Sequence, residues 1–269
     1  MTALLVLMTL LAGCVYEVAP PSAPPPPEQT RYRSMDDLML SGLMCKPAGD
    51  PPWPTIIVNH PAGHEAEDMR YAASEFTSRG YLVFCPDYRG CGDSEGEMEW
   101  AAGEVGDVLA AIEYLELCGL TDGRIGLYGV SHGAAISVLA ASREPEIDAV
   151  VAESGFYDMK AFYDYLTWGR EDFALACGGT PEQVPEEYRR RSAIEYADGI
   201  DCPVFITHGK LDLVVPYGQA VDMYDALIAA GKPAAIALYE DEGHWIFRPE
   251  YEGEYLQAVL RWFDHYLGN

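Results

Sequence analysis

The chain predicts an α/β fold: a mostly parallel central sheet flanked by helices, with a small helical cap. Three observations predict it. Apolar runs of strand length alternate with longer helical patterns, as expected of strands buried on both faces and joined by crossover helices. A length of 269 residues with 49% hydrophobic content suits one well-filled α/β domain. The alternation stops between Gly155 and Ile200, where aromatic residues crowd, and then resumes.

Taken in order, a strand at residues 55–58 leads to a helix near 68–78, a strand at 81–85 and a helix over 101–117. A strand at 125–128, a helix over 134–142 and a strand at 147–152 continue the pattern. Beyond the aromatic stretch come a strand over 203–209, a helix near 219–230, a strand at 234–239 and a closing helix over 251–267. The interruption, at about 156–200, reads as the cap. Most of its aromatics pack it onto the body, while Tyr157 and Trp168, together with Trp245, are expected to line a substrate pocket. Arg189, Arg190 and Arg191 form the one basic run and read as a solvated helix face.

Gly129-Val130-Ser131-His132-Gly133 follows the strand at 125–128 and opens an Ala-rich helix. A strand, a turn too sharp for side chains and then a helix is what a G-x-S-x-G nucleophile elbow requires. A serine hydroxyl needs a base to take its proton, and the base needs a third group to fix its tautomer. Asp212 follows the strand at 203–209, and His244 follows the strand at 234–239. Asp212 alone would be a turn residue, and His244 alone a solvated loop histidine. Their order after Ser131, each beyond a strand, joins them as nucleophile, acid and base. Asp201 precedes its strand, Asp222 lies in a helical stretch, His208 ends a strand and His265 lies on the last helix, so none of these fits as well. The oxyanion donors are expected to be the backbone N–H of His132 and, from the loop after residues 55–58, that of Ala62, with Gly63 as the alternative. Pro61 has no amide hydrogen to give.

These segments resemble the α/β-hydrolase superfamily, specifically the catalytic domain of the prolyl oligopeptidase family and its dienelactone-hydrolase-like relatives. The matching stretches are Asp87-Tyr-Arg-Gly90-Cys-Gly92-Asp-Ser94, Gly129 to Gly133, His208-Gly-Lys-Leu-Asp212-Leu-Val-Val-Pro216, Gly231-Lys-Pro and Glu242-Gly-His244. Two departures stand out. Pro61 replaces a frequent glycine, and His132-Gly133 replaces a frequent Gly-Gly. Too few residues precede the first matching strand for the propeller of the oligopeptidases. The resemblance implies a serine hydrolase that forms an acyl-enzyme and passes it to water, taking a small ester or short peptide, with esters ahead. An exopeptidase or dipeptidyl-peptidase-like activity is the runner-up, a serine acyltransferase is possible, and a non-catalytic envelope binding protein is the reading from another class.

Residues 1–13 are apolar and uncharged, too short for the ~20 residues a spanning helix needs. Leu11-Ala12-Gly13-Cys14 resembles the lipobox of bacterial lipoproteins, which implies lipidation of Cys14 and a place in the cell envelope; an uncleaved anchor is the other reading. Residues 14–31 read as a Pro-rich, extended linker before a domain at 32–269. The net charge of −26 opposes nucleic acid or an anionic lipid surface as partner. No Cys or His pair has metal-ligand spacing, so neither metal nor organic cofactor is expected. Six cysteines besides Cys14 permit disulfides without specifying them, and no residue pattern specifies an oligomeric state.

Overall fold

The computed structural model describes residues 24–246 and 253–268. The strands are β1 (Glu28–Arg33), β2 (Met39–Cys45), β3 (Trp53–Asn59), β4 (Leu82–Asp87), β5 (Thr121–Val130), β6 (Ile147–Glu153), β7 (Val204–Gly209) and β8 (Ala234–Tyr239). Among the described residues they form one sheet in the order β1-β2-β4-β3-β5-β6-β7-β8. Pairing is antiparallel from β1 through β2 to β4 and parallel from β4 to β8.

The helices are α1 (Arg70–Ser78), α2 (Gly103–Leu117), α3 (His132–Ala141), α4 (Met159–Tyr165), α5 (Arg170–Cys177), α6 (Pro185–Arg189), α7 (Gly218–Ala229) and α8 (Glu254–Leu267). They cover both faces of the sheet. Val105 and Val108 of α2, Leu139 of α3 and Leu227 of α7 fill the core on one side. Phe76 of α1 and Val259 and Phe263 of α8 fill the other. With both faces covered, the middle of each central strand is apolar on both sides, which is why β3 and β4 read as runs rather than alternations.

The chain leaves β3 toward β4 on one side, while β5 lies on the other. At such a reversal the loops beyond the carboxyl ends of neighbouring strands diverge and leave a crevice. In this sheet it opens between the loop after β3 and the turn after β5.

The expected interior strands and crossover helices are present, with ends displaced by a few residues. The hairpin of β1 and β2 was not anticipated. β1 is an edge strand of sequence Glu-Gln-Thr-Arg-Tyr-Arg with mostly exposed side chains, so it lacks the apolar signal of an interior strand. It begins at Glu28, so the last four residues assigned to the linker pair with β2 instead. The expected signal segment, Cys14 and most of the linker lie outside the described residues.

Arg191 also departs from expectation. It is buried, donating from Nε to Glu99 O at 3.0 Å and from Nη1 to Glu187 O at 2.8 Å, and so ties the segment after β6 to the body. Its neighbours Arg189 and Arg190 do sit on the exposed face. All six cysteines of the described residues are free thiols.

Candidate active site

Ser131 stands between β5 and α3 at φ 55° and ψ −115°, a backbone region that side-chain-bearing residues rarely adopt. The surrounding glycines make the turn possible. A Cβ on Gly129 would lie 2.2 Å from Gly133 O, and one on Gly133 would lie 2.1 Å from Asn59 O. Hydrogen bonds hold the strained turn. The Ser131 N–H donates to Glu153 O at 2.8 Å. Asn59 Nδ2 donates to Ser137 Oγ at 2.8 Å, and that hydroxyl donates to Gly133 O at 2.7 Å. The start of α3 is thus fastened to β3 on one side and β6 on the other. As the first residue of α3, His132 has a backbone N–H with no carbonyl of its own helix to meet.

Asp212 lies in the loop after β7 and His244 in the loop after β8. His244 Nδ1 donates to Asp212 Oδ2 at 2.6 Å. The other oxygen of Asp212 accepts from the N–H groups of Val214 and Val215 at 2.8 and 2.9 Å. Burial pushes the Asp212 carboxyl up, but the hydrogen bonds from His208 and His244 outweigh it and hold the group well below the usual carboxylate range. An ionised Asp212 fixes the tautomer of His244, leaving its Nε2 lone pair to take a proton. The two loops are laced together by Lys210 N–H to Tyr239 O and Leu211 N–H to Glu242 O, both 2.8 Å.

His208, which its place at a strand end made the weaker choice of base, is fully buried and placed on the same aspartate. Its Nε2 is 3.0 Å from Asp212 Oδ2 and 3.0 Å from Val215 O. Both neighbours are acceptors, so Nε2 carries the proton and His208 supports Asp212 at the same oxygen that His244 meets. A signal was present in the sequence: His208 ends the strand that delivers the acid, four residues before it.

Ser131 and His244 border one cavity of about 270 Å³. Pro61 and Ala62 line it, whereas Gly63 faces a separate surface groove with Cys91. Of the two donors considered for this loop, Ala62 is the one at the cavity. Its peptide plane is held from behind. His60 Nδ1 donates to Pro61 O at 2.9 Å, and the His64 N–H donates to the same oxygen at 3.3 Å. With the carbonyl anchored on that side, the Ala62 N–H of the same planar unit must point the other way.

The stretch beginning at Asp87 supplies the brace. Tyr88 stacks on the His60 ring at 4.1 Å and donates its hydroxyl to His60 O at 3.2 Å. Arg89 is buried against Asp107 at 2.7 Å and also pairs with Asp36 and Glu99. Burial lowers the His60 pKa to about 4 and the His132 pKa to about 3, so both rings are neutral near pH 7.

The far wall of the cavity is aromatic. Trp168 and Trp245 line it as expected, but Tyr157 does not. The Tyr157 phenol instead fills the space that a side chain on Gly155 would take, 2.6 Å from the Cβ position, and is fully buried beneath α3. Phe156 faces the cavity in its place, stacked on Phe162 at 4.7 Å. Trp100 also lines the wall, stacked on Phe173 at 3.9 Å. The three phenylalanines stood in the aromatic stretch but were not told apart from core residues. Trp100 lies outside that stretch and carried no signal of its place. Among the described residues, no group of three or more His, Cys, Asp or Glu side chains could hold a metal ion.

Fold and site together define a serine hydrolase of the α/β-hydrolase class. The chain belongs to the prolyl oligopeptidase family, whose model matches residues 68–269. Among curated relatives, the uncharacterized peptidase YtmA of Bacillus subtilis is 28% identical over 193 residues, covering 71% of this chain and 75% of its own length. Dipeptidyl-peptidase 5 of Porphyromonas gingivalis is 26% identical over 210 residues, covering 74% of this chain but 31% of that protein. This chain therefore spans about a third of the dipeptidyl-peptidase. Among solved structures, the esterase Pf2001 of Pyrococcus furiosus superposes with a TM-score of 0.74 at 19% identity, covering 90% of this chain and 93% of the esterase.

Proposed function

We propose that this protein cleaves small carboxylic esters, and secondarily amides of short peptides, through an acyl-enzyme on Ser131. The observation that carries the proposal is the sharing of one cavity by Ser131 and His244, with His244 bonded at 2.6 Å to an ionised Asp212. His244 takes the Ser131 proton as the hydroxyl attacks the acyl carbon, then gives it to the departing alcohol or amine. Water, deprotonated by the same histidine, releases the acid and frees the serine. Negative charge on the tetrahedral oxygen is met by the N–H groups of His132 and Ala62, donors fixed before the reaction begins. The aromatic wall takes an apolar acyl or leaving group.

The likeness of fold to an esterase supports ester substrates. The peptidase relatives support the second reading, a short-peptide exopeptidase. Fluorophosphonate labelling with peptide mapping tests the nucleophile, and label on Ser131 is expected. A folded protein that takes no label would leave the non-catalytic binding reading standing. Comparison of p-nitrophenyl acyl esters with aminoacyl p-nitroanilides then ranks the substrates, and faster turnover of the anilides would place peptides ahead of esters.

We further propose that Cys14, within Leu11-Ala12-Gly13-Cys14, is lipidated and tethers the domain to the cell envelope through the Pro-rich stretch. Metabolic labelling with a radiolabelled fatty acid checks this. Incorporation that survives Cys14→Ala would refute it.

A further inference from the structure

Glu153 is the last residue of β6 and fully buried, yet no step of acyl transfer uses its carboxylate. A buried charge is costly unless hydrogen bonds satisfy it. Donors that do so include two from the elements that carry the candidate site, and one from α8. The Tyr128 hydroxyl, on the strand leading to Ser131, donates to Glu153 Oε2 at 2.6 Å. The Tyr255 hydroxyl, on α8, donates to the same oxygen at 2.7 Å. The backbone N–H of Ile246, two residues beyond His244, donates to Oε1 at 2.6 Å.

The main chain of Glu153 completes the pattern. Its carbonyl accepts the Ser131 N–H at 2.8 Å, and in the sheet register it lies between Val130 and Thr207. One residue thus touches the nucleophile's turn through its backbone and the histidine's loop through its side chain. Its neighbour in register, Thr207, precedes by five residues the aspartate that orients the histidine.

We propose that Glu153 is a positioning residue: its carboxylate, held by Ile246 N–H, Tyr128 and Tyr255, fastens the loop bearing His244 to the strands bearing Ser131. Three loops from three strands must agree to within a fraction of an ångström for proton transfer, and a loop is the least constrained part of such an assembly. A charge-assisted bond to a main-chain N–H beside the histidine restrains that loop without occupying any substrate surface. Substrate binding is then indifferent to Glu153, whereas the transfer of the proton is not.

This inference rests on Ser131 acting as the nucleophile, and its test keeps the two apart. Glu153→Met preserves length and removes both side-chain oxygens while keeping the backbone carbonyl that accepts from Ser131. Glu153→Gln keeps a carbonyl that can accept from Ile246 N–H. Tyr255→Phe removes a donor but leaves that bond. For each folded variant, kcat and KM on an acyl ester, the rate of fluorophosphonate labelling and the melting temperature are measured. Glu153→Met is expected to lose about 10- to 100-fold in kcat and labelling rate with KM within about threefold. Glu153→Gln should restore kcat to within about fivefold, and Tyr255→Phe should lower the melting temperature with a smaller loss of kcat than Glu153→Met.

Should Glu153→Met fail to fold, Glu153→Asp replaces it, since its shortened carboxylate draws back from Ile246. A folded Met or Asp variant with wild-type kcat, or kcat losses that simply follow the melting temperature across the set, would overturn the proposal. The low-field proton resonance of the His244–Asp212 hydrogen bond supplies a readout independent of turnover. It should be sharp in the wild type and in Glu153→Gln and broadened in the Met or Asp variant; a resonance equally sharp in all would also overturn it. If the wild type takes no label, the functional reading fails while the resonance still decides the role of Glu153.

Discussion

The two sides of the cavity are built by different means. On the catalytic side, loops after β3, β5, β7 and β8 are fixed by directional bonds: Ser131 to Glu153, His244 to Asp212, and His60 to the carbonyl of Pro61. On the opposite side, the segment after β6, α4, α5 and the segment before α2 present Phe156, Phe162, Phe173 and Trp100, held by ring stacking and burial. Hydrogen bonds specify angle and distance. Apolar packing specifies volume and tolerates changes of shape that keep it. Reaction chemistry and substrate choice are therefore separable: damage to the first side should appear in kcat, and damage to the second in KM.

The largest effect should come from the nucleophile. Ser131→Ala is expected to abolish labelling and lower kcat by about 10⁵–10⁶-fold at near-normal KM, read by steady-state kinetics on protein freed of wild-type contamination. Next, Asp212→Asn should cost about 10⁴-fold in kcat, because an amide presents the wrong pattern of donors to His244. His60→Phe keeps the stacking on Tyr88 but releases the Pro61 carbonyl, so kcat should fall about 10- to 100-fold with KM little altered. A rise in KM instead would place His60 with the substrate-binding wall. Across the cavity, Trp168→Ala should raise KM for bulky acyl esters by about five- to tenfold and leave kcat within about threefold. Equal losses in kcat would show that the aromatic wall also shapes the chemistry.

The last effect is on stability rather than on turnover. The folded pKa values of His60 and His132 lie near 4 and 3, below the ordinary histidine value near 6.5 that the unfolded chain would show. Between those limits the unfolded chain binds more protons, so stability is fully present above about pH 6.5 and is lost progressively as pH falls toward 4. Each ring contributes a slope of up to about 1.4 kcal/mol per pH unit. Denaturant melts of wild type and His60→Phe across that window should differ in slope. Parallel curves would mean that the His60 ring is protonated to the same extent in the folded and unfolded chains.

The alternation of strands and helices was legible because buried parallel strands need apolar residues on both faces, as in residues 56–58 of β3, 82–85 of β4 and 149–152 of β6. The placing of Ser131 and His244 at one cavity, with Asp212 bonded to His244, was legible because an elbow requires glycine at fixed offsets and the other two follow their strands in a set order. Tyr157 and Arg191 were misplaced for one reason: neither burial nor direction is written in an aromatic-rich or basic stretch without its neighbours. Gly155 leaves the room that Tyr157 fills, and Glu99, from a distant loop, supplies the carbonyl that lets Arg191 be buried. The β1–β2 hairpin was missed because an edge strand in water carries polar side chains, and its pattern then matches that of a linker.

By itself, then, the sequence determined the fold class, the order in which Ser131, Asp212 and His244 follow their strands, and the loop that offers Ala62. Each depends on local rules: periodicity, backbone freedom at glycine, and which residues own a donor. Tertiary structure alone decided that His208 backs Asp212, that His60 and Tyr88 aim the Ala62 peptide, and that Glu153 meets Ile246 across 93 positions of chain. Those contacts join groups that share no local pattern, and only the folding of the sheet brings them within hydrogen-bonding distance.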